Sequence, residues 1–421
     1  MGAWIDGFRS GEWLTRERIR LWALAVLSAS VIGLGVLVAT SDGRNDFRGE
    51  PLGTDFSNIY AAGTHVLDGK APLAFDWPAQ HAREKEIFGV KTPFFGWHYP
   101  PYFLFVAGAL ATMPYQLALA VWQGATLLLY LLMIQAILSV SWPSERREPG
   151  HDRMWLLVAL GFPAVLVNIG HGHNGFLTAA LLGTALVTLD KRPVLAGALF
   201  GLMAYKPQFG LLIPLVLLAT GRWRAFAAAA VTVAILTLAT LLAFGPEVWE
   251  AFLASTKLTR VEVLEHGGTG WHKIQSVFAA IRMWGGSVPL AYLAQAIATL
   301  SLAAALIWLW RSTAAFPLKA AALTVAAILA TPYSLDYDLV VLAPAIALLA
   351  ADGMSRGFGP WEKTALAFLW LMPLIARITA EHTLIPLGVP AMLLVFVLAL
   401  WRAARDARAL PGWHSAAQPI K

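Results

Sequence analysis

The chain has no cysteine, which excludes a disulfide framework, a cysteine zinc cluster and a thiol nucleophile. It is also poor in charge. Asp, Glu, Lys and Arg make up 13 % of 421 residues, where a soluble domain carries about 25 %. So little charge cannot cover a water-facing surface of this size, and a soluble globular fold is excluded. No internal repeat or low-complexity stretch stands out, which weighs against the repeat-built secondary transporters. Apolar residues take the place of the missing charge: 58 % of the chain is hydrophobic, in runs near the roughly 20 residues that cross about 30 Å of hydrocarbon. The net charge of +6 sits in short stretches between those runs. That is the positive-inside bias of a membrane protein rather than a nucleic-acid surface. The fold class that follows is an all-α integral membrane bundle.

The first run, Leu21 to Thr40, follows a basic leader (1–20) with Arg9, Arg16, Arg18 and Arg20. No small-residue cleavage site ends it, so it is expected to remain as an anchor. Further spans are expected at 115–140, 154–170, 175–189, 193–206, 207–220, 225–244, 288–310, 317–331, 337–351, 362–379 and 383–402. With about twelve spans, the leader, the loops carrying Arg146, Arg147 and Arg153, Lys191 and Arg192, Arg222 and Arg224, Arg311 and Arg356, and the tail (403–421) all fall in the cytoplasm. Arg402, Arg405 and Arg408 continue that bias. The assignment requires the Pro-Pro-led stretch 99–113 to lie in the outer interface without crossing. A single membrane domain results, with 41–114 and 245–287 as its two large outer segments.

The first outer segment is the more informative. Thr54 is placed to cap a helix that opens at Asp55 and runs toward Asp68, ending at Gly69. Phe56, Ile59, Tyr60, Gly63, Val66 and Leu67 recur along it at helical spacing, leaving His65 and Asp68 elsewhere on its surface. A second helix is expected from Pro78 to just before Gly89, with Arg83, Glu84, Lys85 and Glu86 as a charged face. Interfacial helices of this kind would roof a cavity at the bilayer surface. Asp55 has two roles open to it: capping its helix, or acting as general base toward a substrate hydroxyl.

Three stretches carry a resemblance. TDFSNIYAAGTHVLDGKAPL at 54–73 with WHYPPYFLF at 97–105, GHGHNGFLTAALL at 170–182, and AGALFGLMAYKPQFGLLIPLVLLATGRWRA at 196–225 resemble, in order and spacing, the polyprenol-phosphate-mannose-dependent mannosyltransferases of glycosyltransferase family 87. The similarity covers roughly residues 20–340. In the second stretch His171 or His173 stands where the family has Gln. The resemblance implies the membrane-embedded GT-C fold, a polyprenyl-phosphate sugar donor and an aspartate base in the first outer loop. Asp55 is the position that matches. It further implies a bacterial inner-membrane enzyme with its site facing outward, transferring a hexose to a lipid or glycan acceptor.

A lipid-phosphate donor needs cations at the outer interface. Lys206, lying between spans near membrane depth with Pro207 behind it, is the leading one, although a snorkelling lysine would look the same. His98, His173, His272 and Lys273 fall on the same side as further phosphate contacts, together with His171 and His266. Tyr99, Asn174 and Gln208 are the polar groups expected around the sugar. Asp336-Tyr337-Asp338 spells a D-x-D pattern, but it begins a span on the outer side, where nucleotide sugars are scarce, and is read as a polar rim. His171-Gly172-His173 lacks the carboxylates or cysteines of a ligand set, so neither a metal nor a cofactor is expected. A transporter or lipid flippase, or a scaffold, would share the many spans. Neither would need the long outer segment that begins a helix at Asp55.

Overall fold

The computed structural model describes residues 2–141 and 151–408. The loop arginines Arg146 and Arg147 and residues 409–421 of the tail lie outside the described residues. Strand pairing among the described residues is confined to two isolated bridges, Asn45 with Pro51 and Ile274 with Leu335.

A leader helix α1 (Gly2–Ser10) precedes α2 (Arg16–Ala39), whose start is capped by the Thr15 side chain. The first outer segment folds into α3 (Thr54–Leu67), α4 (Trp77–Phe88) and α5 (Leu104–Ala111). Next come α6 (Tyr115–Ser141), α7 (His151–Leu160) and α8 (Pro163–His171). α7 and α8 are bent by 52° at a short break, where Pro163 supplies no N–H to continue the ladder. α9 (Gly175–Thr188), α10 (Pro193–Leu202), α11 (Ile213–Ala219) and α12 (Trp223–Phe244) follow. The second outer segment contains α13 (Glu247–Leu258) and α14 (Val277–Met283). The chain then runs through α15 (Val288–Arg311), α16 (Phe316–Leu329), α17 (Ala343–Arg356), α18 (Glu362–Thr383) and α19 (Gly388–Arg408).

Among the described residues seven helices are long and apolar enough to cross a membrane, eight if the bent pair is one span. All of them fall on expected runs. The other expected runs, 175–189, 193–206, 207–220 and 317–331, fall on shorter apolar helices. A 14-residue helix such as α9 reaches only about 21 Å. Two of these short helices build the interior: α9 is largely buried and α16 is buried on nearly every side. The 99–113 stretch becomes a short helical piece, Pro101–Ala111, too short to span. It stacks on α3 so closely that a Cβ on Gly63 would lie 2.1 Å from the Ala107 carbonyl oxygen.

The first outer segment is more deeply packed than its pattern suggests. α3 buries Phe56, Ser57, Asn58, Ile59, Ala61, Ala62, Gly63 and His65, so His65, expected on the surface, lies inside. α4 starts where expected, with Asp76 accepting from the Ala79 N–H at 2.9 Å. Its charged face is broken by Glu84, which is fully buried and accepts from the Phe95 N–H at 3.3 Å. Burial pushes the Glu84 carboxyl up to about 8. The fold thus holds this group protonated, and stability falls as pH rises from the ordinary value of 4.5 toward 8. Glu84→Gln should remove that fall. Its melting temperature in detergent should match the wild type near pH 5 and exceed it at pH 8, by a stability difference on the order of a few kcal/mol. A Gln variant that melts below the wild type at pH 8 would show that ionised Glu84 is the stabilising form.

Loops assigned by charge to one side meet at one end of the bundle. Arg222 pairs with Asp190 at 2.6 Å and faces Trp310, while the Lys319 ammonium donates to the Ser312 carbonyl at 2.7 Å. The leader joins the 352–361 loop through the Trp361 N–H and the Arg9 carbonyl, 2.8 Å apart. Arg402 is buried inside α19, paired with Glu362 and with Asp352 at 3.0 Å. The chain's lack of thiols makes sidedness easy to test. A cysteine at Val90, 85 % exposed, should react with an impermeant maleimide in intact spheroplasts, and one at exposed Lys191 should not. Labelling of both, or of Lys191→Cys alone, would overturn the charge-derived orientation.

Candidate functional site

Asp55 reaches its surroundings through a close approach of two turns. Gly53 caps α3 in the left-handed region at φ 65, and Gly172 ends α8 at φ 62. A Cβ on Gly172 would come within 2.6 Å of Phe56 Cβ, and one on Gly53 within 3.4 Å of Gly172 Cα. Thr54 is therefore the first residue of the helix rather than its cap, and its hydroxyl bonds His171 Nδ1 at 2.8 Å. The Asp55 carboxylate lies 3.9 Å from the same nitrogen, with its side chain 18 % exposed. Burial raises the Asp55 pKa above the ordinary carboxylate value. His171 opposes the shift, Asp336 adds to it, Lys206 opposes it and Asp338 adds to it.

Asp55 differs from its neighbours in having no structural task. Asp42 accepts from the Arg44 and Asn45 N–H groups, and Asp46 from those of Arg48 and Glu50. Asp68 pairs with Arg83 at 2.5 Å, and Asp76 caps α4. Among these outer-segment aspartates Asp55 alone makes no hydrogen bond to the described residues.

Below this carboxylate lies a layer of interlocked polar groups. Asn168 fixes the turn after α8, accepting from the Gly175 N–H at 2.9 Å and donating to the His173 carbonyl at 3.2 Å. His173 is bonded to the Tyr99 hydroxyl at 3.0 Å and stacked on Tyr337 with centroids 3.6 Å apart. Lys206 occupies the break between two 3-10 turns, Met203–Tyr205 and Pro207–Gly210. Its ammonium lies 2.5 Å from Asp338, with side chains 5 % and 2 % exposed, and faces the rings of Phe209 and Tyr337. Asn174 is buried with neither side-chain polar atom bonded to the described residues. Gln208 is half-buried on the turn after Lys206.

Asp336 and Asp338, read as a polar rim, are both buried. They lie inside because Asp338 neutralises Lys206 and Asp336 faces Arg377 at 3.4 Å. Asp338, Asp336 and Arg377 are thus functional candidates absent from the sequence-based set. The signal for them was two carboxylates at the head of an apolar run, a costly placement that needs partners.

The expected phosphate contacts do not converge on one point. Lys206 and His173 belong to the layer just described. His98 is bonded to Thr259 at 2.9 Å. Burial lowers its pKa to about 4, so at neutral pH it can offer a hydrogen bond but no charge. His272 and Lys273 sit on a separate turn, Trp271–Lys273, beside the part of α18 that carries Arg377 and Glu381. There burial lowers the His272 pKa, Glu381 raises it, and Lys273 and Arg377 lower it.

The model of glycosyltransferase family 87 matches residues 97–332, more than half of the chain. The chain belongs to glycosyltransferase family 87. No curated protein and no solved structure matches it. This membrane glycosyltransferase therefore handles a sugar donor and an acceptor. Its matched stretch contains Tyr99, His171, His173, Asn174 and Lys206, whereas Asp55 precedes that stretch and Asp336, Asp338 and Arg377 follow it. The structure gathers Asp55, His171, Lys206, Asp336 and Asp338 close enough for the last four to act on the ionisation of Asp55.

Proposed function

We propose that this glycosyltransferase transfers a hexose, mannose, from a polyprenyl phosphate to an acceptor hydroxyl on the outer face of the membrane, with Asp55 as general base. The observation that carries the reading is the untethered carboxylate of Asp55, inset beside His171 while its neighbouring aspartates are all engaged. The acceptor O–H gives its proton to Asp55 as the acceptor oxygen bonds the anomeric carbon. The bond from that carbon to the phosphate oxygen breaks, and the phosphate leaves with the electron pair. One carboxylate suffices because a phosphate leaving group needs little protonation, and a single displacement inverts the anomeric centre. A pKa raised by burial makes Asp55 a stronger base than an exposed carboxylate. Lys206, Arg377 and Lys273 are the cations on which the donor phosphate would draw, and Tyr99, Asn174 and Gln208 would bond the sugar.

The test uses the purified full chain with radiolabelled polyprenyl-phosphate mannose and a lipid extract. Label should move to an acceptor from this donor and not from a nucleotide-linked mannose. Transfer from the nucleotide sugar alone would overturn the donor assignment, and transfer from polyprenyl-phosphate glucose but not mannose would correct the sugar.

A further inference from the structure

The leader helix is tied to two spans at once. α1 stops at Ser10 and α2 starts at Arg16, and the stretch 11–15 between them reaches at most about 18 Å. The last carbonyls of a helix have no partner inside it, and α18 supplies partners for two of those in α1. The Thr364 hydroxyl donates to the Phe8 carbonyl at 2.6 Å, and the Trp361 N–H to the Arg9 carbonyl at 2.8 Å. Trp361, the cap of α18, does so from a left-handed backbone at φ 69, a conformation uncommon for a bulky residue. Trp13 Nε1 closes the corner, donating to the Thr364 hydroxyl at 2.9 Å. α1 is therefore held at the level where both α2 and α18 begin.

At that level α1 leaves an apolar face uncovered. Trp4, Ile5 and Phe8 fall within an arc of about 100° on the helix, and all three are exposed, Trp4 by 79 %. Asp6 and Ser10 lie on the opposite side and are exposed as well. We propose that α1 lies in the bilayer interface, with Trp4, Ile5 and Phe8 among the lipids and Asp6 and Ser10 in water. Lipid is the occupant of this face because of where the helix is fixed. α2 and α18 are both long and apolar enough to span, so their starts, joined through Trp13 and Thr364, mark one edge of the hydrocarbon. An amphipathic helix pinned at that edge buries its apolar side in the boundary between headgroups and acyl chains. An indole on that side suits the headgroup level, where an apolar ring and a polar N–H are both accommodated. The leader is then a float on the membrane surface that keeps the starts of two spans at one depth.

The experiment uses the full-length chain in phospholipid nanodiscs, carrying one nitroxide-labelled cysteine at a time. The background is clean because the chain has no cysteine of its own. The labels replace Trp4, Ile5, Asp6 or Ser10, all exposed, so none displaces a buried side chain. Ile32→Cys, at an exposed position in the middle of α2, gives the value for a label in hydrocarbon. The readout is collision with oxygen, which concentrates in lipid, relative to collision with a water-soluble nickel chelate. That ratio should be at least threefold higher for Trp4→Cys and Ile5→Cys than for Asp6→Cys and Ser10→Cys, and highest of all for Ile32→Cys. A smaller difference among the four leader positions overturns the proposal by placing the helix in water. Poor access of both reagents to positions 4 and 5 also overturns it, assigning the face to a protein surface such as a second copy of the chain.

Discussion

Replacing Asp55 by Asn is expected to lower the transfer rate roughly a hundredfold or more, the scale of losing a general base. Asn keeps the size of the side chain and its ability to serve the first turn of α3. The structure makes this comparison clean, because the cap of α3 is Gly53 and Asp55 supplies no capping hydrogen bond. Thermal stability and donor affinity should therefore be preserved. The pH profile gives a second readout. The base must be ionised, so kcat/KM falls as pH drops through the Asp55 pKa. That acid limb should lie above the ordinary carboxylate value of 3.8, since burial raises this group. The residual activity of the Asn protein should lack the limb. Normal turnover by a folded Asn protein would remove Asp55 from the mechanism. Asp46 and Asp68 would be poor substitutes, each already bound to an arginine.

Asp338→Asn should destabilise the protein by about 3–5 kcal/mol, the usual cost of leaving one member of a buried ion pair uncompensated. Lys206→Met should do much the same, since it strands the carboxylate. The double variant, Lys206→Met with Asp338→Asn, leaves no buried charge and should recover most of the lost stability, read as the melting temperature in detergent. Its activity separates the two roles of Lys206. If the ammonium also draws the donor phosphate, the double variant stays at least tenfold down in kcat/KM although it is stable. A stable double variant with full activity would leave Lys206 and Asp338 as a purely structural pair.

Much of the helical framework was legible because membrane helices advertise themselves by run length and by the basic residues between runs. α2, α6, α12 and α15 follow directly from that rule. Short helices such as α9 and α16 were legible as apolar runs. That they fill the interior was not, since burial on every side looks, in sequence, like exposure to lipid. Periodicity misplaced His65 and Glu84 for a related reason: α3 and α4 are covered from several directions, and an amphipathic pattern locates only one covered face. The site was half visible. Asp55 and Tyr99 could be picked out in the first outer segment, Asp55 with the help of the family resemblance, and His173, Asn174 and Lys206 as polar groups at the ends of apolar runs. The Lys206–Asp338 pair could not, because its members lie 132 positions apart and no local pattern encodes which buried cation meets which buried anion. The Thr54–His171 bond spans 117 positions and depends on two glycine turns touching.

Those touching turns govern how this protein could be recombined with its relatives. Gly53 and Gly172 fit only because neither carries a side chain, and Phe56 fills the space that a Cβ on Gly172 would need. The segment bearing Asp55 and the segment bearing His171 are thus cut to each other's shape. A chimera that imports residues 53–67 from another member without residues 168–175 would separate the carboxylate from its imidazole even if every helix folded. The smallest exchangeable unit of this corner of the fold is two pieces of chain, transplanted together.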